Sequence, residues 1–126
     1  MTTTTISRER KSNRAGTVWI TQAISGLLLI VILATHMIAH HFVVEGGLRD
    51  YQQVLDYVSN PFVFVLEVVF LIVATAHALL GVRAVLLDIG PSESAKRTLN
   101  WVLAIIGAIT LVYGIWLAIA LQQLAA

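Results

Sequence analysis

Polar residues are unevenly spread along this chain. Three stretches are almost continuously apolar: Thr17 to Val44, Pro61 to Ile89, and about Leu99 to Leu121. Each exceeds the about 20 residues with which a helix crosses a bilayer. Backbone groups in hydrocarbon must bond within their own segment, so each run is expected to be a helix. Strands are not expected, because apolar and polar residues do not alternate. Between the first two runs, "GGLRDYQQVLDYV" follows a different rule. Leu48, Tyr51, Leu55 and Val58 share one helical face, with Arg49, Asp50, Gln53 and Asp56 elsewhere. This predicts a short amphipathic helix, about residues 47–58, lying on the membrane surface.

Helix punctuation agrees. "SNP" places a cap before Pro61 at a first helical position. Gly90 and Pro91 end the second span, and Ser92 or Ser94 is the candidate cap for the run into the third. Gly26 permits close packing against a neighbour. The expected fold is an all-α membrane protein: three transmembrane helices plus an interfacial helix, forming half of a larger helix bundle. Residues 1–15 are expected to be a polar tail, disordered to about Asn13, and residues 16–126 a membrane-anchor domain. No internal repeat and no pair of broken helices suggests a transporter.

Composition sharpens this picture. The 126 residues are 58% hydrophobic and 12% charged. There is no cysteine, so the chain cannot itself hold an iron–sulfur cluster or a disulfide. Arg8, Arg10, Lys11 and Arg14 precede the first span, and Lys96 and Arg97 lie between the second and third. Glu45, Asp50 and Asp56 lie between the first and second. The positive-inside rule then puts the N-terminus inside and the C-terminus outside, with a bacterial cytoplasmic (inner) membrane the expected location. Trp19 and Trp101 mark the inner interface.

Of the four histidines, His77 lies deepest, eleven residues from Asp88, or roughly 15–20 Å along the helix. Ionisable groups at such depth are functional candidates. Two readings stand: a neutral imidazole bonded to a neighbouring helix, or a metal or haem ligand. Gly81, one turn inward on the same face, would let a flat macrocycle approach. Arg83 could reach inward and pair with propionates. His36 and His40 are one turn apart on the first span, well outward of His77, and His41 is expected at the surface. Glu67 is expected to reach the surface or pair with a first-span histidine, with proton transfer as the alternative.

"HALLGVRAVLLDIG", residues 77–90, resembles the second-helix pattern H-x-x-x-G-[IV]-R-x-x-x-x-D-x-G of the membrane-anchor cytochrome b subunits of succinate dehydrogenase and fumarate reductase. "QAISG", residues 22–26, is similar to that family's first-helix motif, and the resemblance covers roughly residues 17–120. It implies an anchor of succinate:quinone oxidoreductase (respiratory complex II). Its partners would be a second membrane anchor, an iron–sulfur subunit and a flavoprotein subunit, in a complex that could oligomerise further. Electrons from succinate would reach a quinone near the inner face. His77 would be an axial ligand of haem b, with the other ligand from the second anchor. Gly81 and Arg83 would serve macrocycle packing and propionate pairing.

Some family members carry two haems, and His36, with His40 as alternate, would suit the second. The alternative is that both are partly solvated imidazoles. The quinone-site candidates are Trp19, Gln22, Ser25 and Asp88. Two departures stand out: Ala23 replaces a family arginine, and Ile89 replaces a tyrosine that one anchor type carries. No nucleotide-binding motif appears, so the chain is expected to be a non-catalytic, electron-transfer subunit in contact with lipid and not with nucleic acid. The competing classes are another small bis-histidine membrane cytochrome b and a haem-free structural anchor.

Overall fold

A computed structural model describes the backbone of residues 2–44 and 46–125, and the side chains of 16–44 and 46–125. Four α-helices follow one another: α1 Thr2–Met37, α2 Tyr51–Ser59, α3 Pro61–Asp88 and α4 Glu93–Ala125. A π-helical turn, Ile38–Phe42, prolongs α1. Among the described residues, three segments are long and apolar enough to span a membrane: Gly16–Phe42, Pro61–Asp88 and Glu93–Ala125. The all-α, three-span expectation therefore holds. Glu45 and the side chains of Arg8, Arg10, Lys11 and Arg14, used above to orient the chain, lie outside the described residues.

The helix starts differ from the sequence reading in three places. The backbone is helical from Thr2, where a disordered tail was expected. Residues 2–15 contain neither proline nor glycine. Extending an existing helix also costs far less than nucleating one. The last span begins at Glu93 rather than near residue 99. Ser92 explains this: its Oγ accepts the Ala95 N–H at 3.3 Å and its carbonyl the Lys96 N–H at 2.9 Å. The break before it falls at Gly90, whose φ of 74° suits glycine.

The third is the surface helix, expected from about residue 47, which starts at Tyr51 behind a capping box. Asp50 Oδ1 accepts the Gln53 N–H at 2.8 Å, and Gln53 Oε1 accepts the Asp50 N–H at 3.0 Å. The two glycines before it, Gly46 and Gly47, both have positive φ and form the turn out of the membrane. α3 starts as the sequence indicates, with Asn60 Oδ1 accepting the Phe62 N–H and Pro61 in the first turn.

α3 is central. It packs against α1 on one side and α4 on the other, while α2 lies across α3 and α4. Among the described residues, α1 and α4 do not touch. Such a row of helices buries little: among the described residues only Ile32, Leu55 and Leu103 are buried hydrophobics. The chain exposes 9415 Å², against roughly 6,600 Å² for a compact soluble chain of its 13.7 kDa mass. Lipid or other helices must cover the rest, as expected for part of a larger bundle.

Glycines set the close approaches. A Cβ at Gly107 would lie 2.6 Å from Leu79 Cδ1, and one at Gly114 2.6 Å from Leu71 Cδ2. Small residues at such positions let membrane helices pack by van der Waals contact. Leucine at both positions should push α4 off α3, at about 1–3 kcal/mol per site. Thermal unfolding of the detergent-solubilised protein measures this. An unchanged midpoint in G107L/G114L would show that α3 and α4 do not pack through these glycines.

Candidate functional site

The polar chemistry in the membrane lies along the α1–α3 interface, at two levels, called inner and outer after the expected orientation. The inner level centres on His77, which Gly26 admits: a Cβ there would stand 3.1 Å from the imidazole Cε1. Ser25 Oγ donates to the Gln22 carbonyl at 3.0 Å, which commits its one proton. The same oxygen lies 3.0 Å from His77 Nδ1 and can therefore accept the Nδ1–H. With the serine proton so placed, the contact favours the tautomer that carries its proton on Nδ1 and its lone pair on Nε2, an assignment made from the hydrogen-bond pattern. The Gln22 amide nitrogen donates to the His77 carbonyl at 3.2 Å and stands 3.5 Å from Nε2. Gly81 leaves room for that amide, because a Cβ there would lie 3.2 Å from Gln22 Nε2. The amide oxygen, Gln22 Oε1, is buried without a hydrogen-bond partner.

Just inward lies a cleft of about 710 Å³, lined by Trp19, Gln22, Leu80, Arg83, Leu87 and Asp88 among others. Trp19, Gln22, Arg83 and Asp88, separated by up to 69 positions in sequence (19 to 88), therefore share one cleft. Ser25 stands beside His77 instead. Arg83 Nε donates to Asn100 Oδ1 at 2.7 Å, which ties the cleft to α4. Asn100 carries no motif, so the linear sequence gave no signal for it.

The outer level lies ten residues further along α3 (67 against 77), or roughly 15 Å. Glu67 Oε1 is 3.0 Å from His36 Nδ1 and 3.5 Å from His40 Nε2. The pairing of Glu67 with a first-span histidine agrees with the sequence reading. The two imidazoles stack with centroids 4.3 Å apart, and the Tyr57 ring meets His40 edge-on at 4.6 Å.

The π turn shapes this level. It sends the Val43 N–H to the Ile38 carbonyl at 3.2 Å, so the Ala39 carbonyl loses its usual helical partner. Arg49 supplies the replacement, donating through Nη2 to Ala39 O at 3.0 Å, with its Cζ 4.2 Å from the centre of the Tyr57 ring. Burial first, and the Glu67 carboxylate second, raise the Tyr57 hydroxyl from its ordinary pKa, with Arg49 opposing. Tyr57 thus stays neutral at physiological pH. Neither Arg49 nor Tyr57 was singled out from sequence as a site residue, because their roles depend on how α2 folds back. His41 is exposed, its Nδ1 3.1 Å from the Gly47 carbonyl.

These features define a class: an integral membrane subunit whose polar groups lie between helices, with most of its apolar surface left for lipid and other chains. The model of the succinate dehydrogenase/fumarate reductase transmembrane subunit matches residues 3–121. The chain belongs to that family. It is 28% identical over 103 residues to the succinate dehydrogenase hydrophobic membrane anchor subunit of Thermoplasma acidophilum, covering 82% of this chain and 84% of the relative. It is also 29% identical over 99 residues to the subunit of the same name from Archaeoglobus fulgidus, covering 79% and 84%.

Proposed function

We propose that this chain anchors a succinate:quinone oxidoreductase in the cytoplasmic membrane, binds haem b through His77 and lines a quinone site. The supporting observation is the state of the His77 imidazole. With Nδ1–H directed to Ser25, Nε2 keeps its lone pair, and a histidine that ligates iron needs this arrangement. The residues suit the group in other respects. Gly26 and Gly81 keep the helices close to the ring, and Arg83 is a guanidinium in the adjoining cleft, suited to a propionate. When bound, haem b supplies a one-electron carrier. A second imidazole for the iron would be supplied by another anchor chain.

A structural role for His77 has Ser25 in its favour. It leaves Nε2 with only the 3.5 Å approach of the Gln22 amide, which is long for a hydrogen bond.

The cleft beside Gln22 suits a quinone headgroup. Trp19 offers an indole N–H to a quinone carbonyl. The orphaned Gln22 Oε1 and the Asp88 carboxylate offer acceptors to the quinol hydroxyls. The chain has no succinate chemistry of its own. Its part is to hold the flavoprotein and iron–sulfur subunits at the inner face and to receive their electrons. The N-terminus lies inside and α2 outside, in keeping with the cationic connection at Lys96 and Arg97.

Purification through a tag on this chain tests the assignment. The preparation should contain flavin, iron–sulfur signals and a Soret band that succinate reduces in part. A preparation holding the haem alone would favour a free-standing cytochrome, and one with flavin but no Soret band a haem-free anchor.

Ser25 has a more specific consequence. Ser25→Ala removes the acceptor for Nδ1–H, lowering the basicity of the imidazole at a cost of about 1 kcal/mol. A less basic ligand stabilises ferric iron less. Haem should therefore be retained, with a raised midpoint potential by redox titration. A potential equal to that of the parent would remove Ser25 from this role.

A further inference from the structure

We propose that His36, His40 and Glu67 form a binding site for a divalent first-row transition metal, with zinc as its probe. Neither the haem nor the quinone reading uses this cluster as a unit, and the inference does not depend on either. His36 and His40 stand one turn apart on α1 and its π-helical extension, and Glu67 faces them from α3. One donor atom from each lies within 4.8 Å of the other two.

The spacing suits a small ion. A tetrahedral ion with bonds of about 2.05 Å holds its donors roughly 3.3 Å apart. The two edges that meet at Glu67 Oε1, 3.0 Å to His36 Nδ1 and 3.5 Å to His40 Nε2, bracket that value.

Protons alone leave the cluster unsatisfied. A proton on His36 Nδ1 pairs it with Glu67. His40 Nε2 is then left buried with no hydrogen-bond partner. Neutral tautomers can turn both N–H groups toward the same Glu67 oxygen, but at 3.5 Å the one on His40 makes no good bond, and its nitrogen stays buried without a partner. A single dication satisfies all three donors.

Two imidazoles and one carboxylate suit zinc and its neighbours, whereas calcium and magnesium prefer oxygen donors. Three protein ligands leave a fourth position for water. Arg49 is the nearby opposing charge, but its guanidinium is engaged by the Ala39 carbonyl and the Tyr57 ring. The bound ion would clip the outer ends of α1 and α3 together where α2 covers them.

The test uses the intact purified complex, stripped with a chelator, dialysed and titrated with Zn²⁺. Elemental analysis should give one tightly held zinc per anchor chain. Its K-edge absorption should show two imidazoles among nitrogen and oxygen ligands at about 2.0–2.2 Å. Glu67→Gln and His40→Gln should each weaken binding at least about tenfold. His41→Gln, an exposed neighbour, should bind as the parent does, and gel filtration confirms assembly of each variant. The edge spectrum of the parent is decisive even if a variant fails to assemble. Absence of a stoichiometric zinc, a zinc without imidazole ligands, or unchanged binding in both variants overturns the proposal. So does a parent with two haems per chain that keeps only one in His36→Ala, because His36 would then hold haem iron.

Discussion

His77→Ala is expected to leave the complex assembled in the membrane but almost without haem b. A haem held through His77 would lose that ligand, and no other imidazole of this chain stands near enough to replace it. His36 and His40 sit at the level of Glu67, roughly 15 Å further along α3. The measurement is the haem-to-polypeptide ratio of the purified complex. Succinate oxidation with a soluble acceptor serves as the control, because that chemistry belongs to other chains. A haem bridging two anchors also favours their association, since it binds only the assembled state. The second anchor should therefore be lost more readily in detergent from His77→Ala than from the parent. A parental haem ratio in the variant would remove His77 as the ligand.

Gly26→Val is the second large effect, and it acts without touching a donor atom. A Cβ at residue 26 already approaches the imidazole Cε1 to 3.1 Å. Alanine there asks the ring to give by a few tenths of an ångström. Valine adds two methyl groups on a branched carbon with little rotamer freedom inside a helix. The ring must then leave the groove and its bond to Ser25. Haem affinity should fall at least about tenfold, more than in Ser25→Ala, because here the ligating ring itself is displaced and not only its hydrogen bond. Overpacking adds about 1–3 kcal/mol of destabilisation. Gly26→Ala should be intermediate on both counts. The readouts are haem retention during dilution and the thermal midpoint. Retention in Gly26→Val equal to that of the parent would show that the imidazole does not use this groove in the assembled complex.

Both predictions show what the chain's pattern makes legible. The three spans could be read because hydrocarbon leaves the backbone no alternative to a helix. The surface helix could be read because Tyr51, Leu55 and Val58 repeat at helical spacing, and Leu55 is buried there, whereas Leu48, counted with them, falls before the helix and is exposed. His77 drew attention by its depth and its motif, and Glu67 by being a carboxylate in an apolar run.

What could not be read is what meets across helices. Gln22 and Ser25 were quinone candidates by depth alone. Their engagement with His77 depends on the rotation of α1 against α3, which no local pattern fixes. Gly81 was expected to admit a macrocycle, and its space holds the Gln22 amide in this chain. The α1 start was misplaced because composition distinguishes polar from apolar, not helix from coil. Arg49 was invisible as a clamp because the carbonyl it caps is orphaned only by the π turn at Ile38–Phe42.

The most direct measurement is an electron cryo-microscopy map of the assembled complex, interpreted at the central helix. It should show the macrocycle between two anchor chains, with iron bonded to Nε2 of His77 on one side and to an imidazole of the other chain on the opposite side. A map in which that nitrogen meets only protein side chains, with the macrocycle held elsewhere or missing, contradicts the account.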